Sequence, residues 1–369
     1  MKKIIAMLLA LAMVFTLAAC GEKSSTSDKD TGKTPDTSAN TSADKTPDKD
    51  ASADTGVDFS EKVNLTFGIS GAAGMGSAIA NQKAIDMIAE RSNGAITIEL
   101  VTDGALGNEA SLLAQALEGS IDIAGCAIGV LSSYSDKLAI FQMPFLINDY
   151  ALEAEVLQSD AWKALCAEAN ADLGTATILS ATEFGMRHFA TIDKPINTKD
   201  DLKGMKIRTG GNPVIDEALK TLGASPVNVA FTELYSALQN KMVDGEEINA
   251  TSVSMQKHYE VVNYFSEIGM YPWLSMAVMS NATIERLPDG YYELICECFA
   301  EADAEYMQTT IYEWDAQARE DCEANNVTFN EVSDKEAWLE AMQPLYDEWI
   351  AKGGVYADFI NGVQELAAQ

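Results

Sequence analysis

Histidine is nearly absent, with two residues in 369, and the six cysteines include no paired CxxC spacing. His188 and His258 are too few for a histidine-rich metal centre, and no acid, base and nucleophile stand at a spacing that marks a catalytic set. After Cys20 come Cys126, Cys166, Cys296, Cys298 and Cys322, an odd number that argues poorly for a disulfide framework and better for small buried hydrophobes. No metal and no cofactor is expected. Basic charge is scarce too: 25 Lys and Arg face 56 Asp and Glu, for a net charge of −31. Such a surface repels nucleic acid and anionic headgroups. A small anion would have to be met by locally placed arginines, so each candidate arginine is informative.

What the chain does have is 47% hydrophobic residues, enough for two domains with real cores. Residues 1–19 read as a signal peptide: Lys2-Lys3, then an apolar run from Ile4 to Leu17 that is too short for a comfortable membrane span. Leu17-Ala18-Ala19-Cys20 looks like a bacterial lipobox, which implies cleavage before Cys20 and lipid on its thiol. Residues 20–60 are rich in Ser, Thr, Asp, Lys and Pro, with no aromatic before Phe59, and read as a solvated tether.

From Val63 onward, strand-like alternation gives way repeatedly to helical spacing, which predicts an α/β class with a parallel or mixed sheet. The first βα turn, Ser70-Gly-Ala-Ala-Gly-Met-Gly76, fits neither GxGxxG nor a Walker motif. A plain tight turn and a ligand-facing loop carrying Ser70 are equal alternatives there. Tyr291 to Asn325 contains no Gly or Pro and predicts one long helix bracing two lobes, and Ser333-Asp-Lys-Glu336 predicts a capping box. Lys203 to Pro213 is the most informative stretch. A short strand delivers Arg208 into a turn in which Gly210 and Gly211 let the backbone come close, before Asn212-Pro213 opens a helix. A guanidinium at the carboxyl end of a strand suits bidentate recognition of a carboxylate or phosphate; a surface arginine is the bland alternative.

Three segments extend this reading: Phe184-Gly-Met-Arg187-His-Phe-Ala, Asp201-Leu-Lys-Gly-Met-Lys-Ile-Arg208, and Phe231-Thr-Glu-Leu-Tyr-Ser-Ala-Leu-Gln239 running through Val243-Asp-Gly-Glu-Glu247. With Leu106-Gly-Asn-Glu109 and Met143-Pro-Phe-Leu146, their order resembles the extracytoplasmic solute-binding proteins of TRAP transporters, the DctP-like family, from about Lys62 to the C-terminal helices. The resemblance implies a two-lobed fold of the periplasmic-binding-protein type, with hinge strands and a helix bracing both lobes. It places 61–185 and 273–312 in lobe I, and 186–272 and 313–369 in lobe II. It implies a monomeric, non-enzymatic receptor, lipid-anchored outside the cell membrane or periplasmic, that passes a small organic acid to an ion-gradient-driven permease. Arg208 would clamp the carboxylate, Arg187 would assist and Phe231 would line the site, with Glu247, Ser70 and Gly211 beside them. The family commonly has Gln-Glu-Asn-Pro after the Asp-Gly turn, whereas this chain has Glu246-Glu247-Ile248-Asn249-Ala250. Either Asn249 reaches the cleft through a local shift or Ile248 gives it an apolar wall; the extra donor favours Asn249. Sensory use of the same fold, or a secreted hydrolase using Ser70 or a cysteine, are the competing functions.

Overall fold

A computed structural model of the chain describes residues 56–368. The signal peptide, Cys20 and most of the expected tether lie outside the described residues. The tether ends earlier than expected, because Val57 and Phe59 pack on the first core and the Phe59 ring centroid lies 5.2 Å from that of Tyr291.

Two mixed sheets form the frame. The first, in spatial order, holds β2 (Ile96–Val101), β1 (Val63–Gly68), β3 (Ile123–Ala127), β10 (Pro272–Ser280) and β4 (Ala176–Met186). β1 runs parallel to β2 and β3, while β10 is antiparallel to β3 and β4. The second holds β11 (Thr328–Glu331), β9 (Tyr264–Glu267), β5 (His188–Thr191), β8 (Gly245–Ile248), β6 (Lys206–Thr209) and β7 (Ser225–Asn228). β6 lies parallel between β7 and β8. In β1 the alternation sends Val63, Leu65 and Phe67 inward and leaves Asn64 exposed. Each such side chain contributes about 1.5–3 kcal/mol on burial.

The chain crosses between the sheets at Arg187, between β4 and β5, and at Met270-Tyr271, between β9 and β10. The two crossings are paired, since Arg187 N donates to Tyr271 O at 2.8 Å and Met270 N donates to Arg187 O at 2.8 Å. A third connection is the long helical run, which is less uniform than its sequence implied. Tyr291–Glu305 packs on the helix Gly76–Arg91, Tyr306–Thr310 forms a π turn, and Ile311–Ala324 packs on the helix Ala250–Met255. The π turn is crowded into place: Tyr306 and Met307 are buried, and a Cβ on Gly76 would lie 2.0 Å from the Tyr306 hydroxyl.

The structure departs from the sequence pattern at three further points. No capping box forms at Ser333; Asp334 takes a left-handed φ of 57° and Lys335–Ala351 starts uncapped, whereas Thr198 and Asp201 do form one. The C-terminal helix Gly354–Ala367, expected with the second lobe, packs on Tyr150–Gln158 and Asp160–Leu173 beside the first sheet as well as on Lys335–Ala351. β7 and β11 were not legible in the sequence; each is four residues long and finds its place only by pairing with β6 or β9. The five cysteines of the described residues are unpaired.

Candidate functional site

The carboxyl ends of β1, β3, β6 and β7 converge with β8 and β10 on a cavity of about 260 Å³. This is where parallel sheets of α/β proteins take ligands, because the loops there leave backbone N–H groups and side chains free. Ser70, Glu109, Trp273 and Ser275 come from the first sheet's side, and Arg208, Gly211, Asn228, Phe231 and Glu247 from the second.

Arg208 occupies the third position of β6 and is 4% exposed. Its Nε donates to Val229 O at 2.9 Å, just past the end of β7. That is the only hydrogen bond its guanidinium makes among the described residues, and no carboxylate there lies within ion-pair distance of it. Burial pulls its pKa below the ordinary value; Glu247, Glu246 and Glu109 work against this shift, and Arg187 adds to it. A guanidinium nevertheless stays charged. The cavity therefore carries a desolvated cation with its terminal amino groups free.

Arg187 is 2% exposed and fully occupied. Its Nε donates to Glu247 Oε2 at 2.7 Å, Nη2 donates to Glu247 Oε1 at 3.3 Å, and Nη1 donates to Asn249 Oδ1 at 2.9 Å. The guanidinium also lies 5.2 Å from the centroid of the Trp273 ring. Burial alone would lower its pKa, but Glu247 and Tyr271 hold it above the ordinary value. Glu247 also accepts from the Tyr271 hydroxyl at 2.6 Å and from Gly210 N at 3.3 Å, so one carboxylate ties β8 to both crossings and to the turn after Arg208.

Asn249 does not line the cavity, contrary to expectation. It is fully buried ahead of the helix Ala250–Met255, and its Nδ2 donates to Phe184 O and to Thr251 Oγ1, the latter at 2.6 Å. Its place is behind Arg187, where Gly185 makes room: at φ +124° a Cβ there would sit 2.9 Å from Asn249 Cβ. Ile248 also avoids the cavity and joins the apolar core of the second sheet. The cavity-facing residue of this segment is Glu247.

Ser70 and Phe231 line the cavity, and Ser70 Oγ donates to Glu109 Oε1 at 3.3 Å. Burial raises the pKa of Glu109, opposed by the Ala127 N–H, Arg208, the Ser70 hydroxyl and Arg187. No histidine approaches Ser70: His188 Nδ1 accepts from Ile268 N and Gly269 N, and His258 Nδ1 pairs with Glu246. Gly211 takes φ +93°, and a Cβ would meet Asn228 Nδ2 at 2.8 Å. Tyr271 and Trp273 escaped the sequence reading. Their signal was an aromatic pair in a crossing strand, which core packing explains equally well.

Residues 75–352 match the family described as bacterial extracellular solute-binding protein, family 7. The C4-dicarboxylate-binding protein of Bacillus subtilis is 25% identical over 284 residues, 73% of this chain and 77% of that one. The 2,3-diketo-L-gulonate-binding periplasmic protein of Escherichia coli is 24% identical over 304 residues, 82% of this chain and 92% of that one. A TRAP periplasmic solute-binding protein from Roseobacter denitrificans, solved with β-D-glucuronate bound, superposes with a TM-score of 0.76 at 26% identity, covering 82% of this chain and 99% of that one.

Proposed function

Because the chain belongs to the family 7 bacterial extracellular solute-binding proteins, the receptors of TRAP transporters, we propose that it captures a hydroxylated monocarboxylate and hands it to an ion-gradient-driven permease. Arg208 carries this reading. A buried guanidinium with free donors at the edge of a closed-in cavity demands an anion, and a carboxylate fits its fork. Arg187 assists by fixing Glu247 rather than by offering a second anion site, which favours one negative charge on the ligand over two. Glu109, Ser70 and Asn228 supply acceptors and donors suited to hydroxyls, and Trp273 and Phe231 supply flat apolar walls. Binding is followed by release without chemistry.

Two lobes, 61–185 with 273–312 and 186–272 with 313–369, close about the two crossings, with Gly354–Ala367 packed on elements of both. The lipobox supports anchorage through Cys20 outside the cell membrane. Among the described residues no helix is long and apolar enough to cross a membrane.

Calorimetry with the full chain tests the ligand class. D-Glucuronate should bind at least about 100-fold more tightly than D-glucose, because the neutral sugar leaves Arg208 unpaired at a cost of roughly 3 kcal/mol. Succinate should bind more weakly than glucuronate. Equal affinities for glucose and glucuronate would overturn the assignment.

A further inference from the structure

Behind the cavity wall the helix Tyr150–Gln158, β4 and the π turn Tyr306–Thr310 meet around two carboxyl groups. Glu153 and Glu183 are both fully buried, and each carboxyl acts on the other. Neither oxygen of Glu153 meets a donor, nor does Glu183 Oε2. Glu183 Oε1 accepts from Gly185 N–H, and so holds the left-handed turn that leads β4 to Arg187. The titratable groups that interact with the pair are acidic or phenolic: Asp149 and Tyr150 at the start of the helix and Tyr306 from the long helical run, with Asp303 and Asp315 acting in turn on those tyrosines. No cation is among them.

Two ionised carboxylates cannot share a dry contact without a cation, since each disfavours the charge on the other. We propose that Glu153 and Glu183 form a proton-binding site that holds one proton between them, and that this proton fastens the β4 crossing in the form that holds Arg187 against Glu247 at the cavity wall. With the proton in place, one carboxyl donates to the other and Glu183 keeps Oε1 for Gly185. Without it, the pair repels, and the helix Tyr150–Gln158 is pushed away from β4.

Burial raises Glu183 to about 7, against the hydrogen bonds it receives from Glu153 and from backbone N–H groups; burial, together with Glu183, also raises Glu153 well above the ordinary carboxylate range. Above an ordinary carboxylate pKa of about 4.3 the unfolded chain has lost the proton that the folded chain keeps. This contribution to stability is therefore greatest at low pH and is lost as pH rises through about 7 and beyond.

The test compares the full chain with Glu153→Gln and Glu183→Gln, each of which supplies a permanent amide donor, so that either one folding suffices. Between about pH 5 and about pH 9 the wild-type melting temperature should fall by roughly 2–4 °C more than that of the variant. Infrared spectra at neutral pH should show a carboxylic-acid carbonyl band that the variant lacks. Parallel melting profiles and identical infrared bands would overturn the proton site. Coupling to the cavity rests on the ligand reading above, and is read from D-glucuronate affinity, which should fall with pH in the wild type and stay level in the variant. A pH-independent wild-type affinity would overturn the coupling. Failure of any acid to bind would count against the ligand reading, leaving the melting and infrared results to decide the proton site.

Discussion

Arg187 and Arg208 flank β8 from opposite sides, both almost wholly buried, yet they stand in contrasting electrostatic situations. Arg187 has its own carboxylate in Glu247, an amide in Asn249 and an aromatic face in Trp273. Arg208 has one backbone carbonyl. A buried cation with its counter-ion inside the fold is scaffold, while one without a counter-ion is a binding site waiting for an anion. Glu247 sits between them and decides which arginine is which, since it engages Arg187 directly and touches the Arg208 side only through Gly210.

The sharpest way to break this contrast is Arg208→Ala. It should weaken carboxylate binding by roughly 3–6 kcal/mol, two charge-assisted bonds at about 1.5–3 each, with the melting temperature nearly unchanged. Calorimetry and a thermal melt on the same sample check both halves, and retained affinity would remove Arg208 from the site. Glu247→Gln should do the reverse. It leaves Arg187 buried beside a neutral group and should cost about 3–5 kcal/mol of stability in denaturant titration, with any loss of affinity following from the disordered crossing. The smallest effect is expected from Asn249→Ala, at about 1–3 kcal/mol of stability, because Arg187 Nη1 and Phe184 O both lose a partner. Its ligand preference should stay that of the wild type, and an altered ranking of acids would return Asn249 to the cavity.

The segments around these residues differ in how far they could be read in advance. Arg208 was legible because a short strand, two glycines and Asn212-Pro213 announce a strand end, a turn and a helix start within a few residues. Asn212 does cap its helix, accepting from Val214 N at 2.7 Å. Arg187 could be located but not understood, since its partner Glu247 is 60 residues away and nothing local distinguishes a paired arginine from a free one. At Asn249 the strand-periodicity argument failed. β8 ends at Ile248, so the next residue belongs to a helix start and the alternation no longer applies.

What the sequence by itself determined was local: the alternation of β and α segments, the turns, and the position of one arginine at a strand end. Those signals survive because periodicity and turn chemistry act over a few neighbouring residues. The tertiary structure alone decided which strands joined which sheet, where the last helix docked, which arginine kept its charge unspent, and that Glu153 faces Glu183. Each of those depends on groups brought together from distant positions and on the removal of water between them, and burial and pairing have no local code.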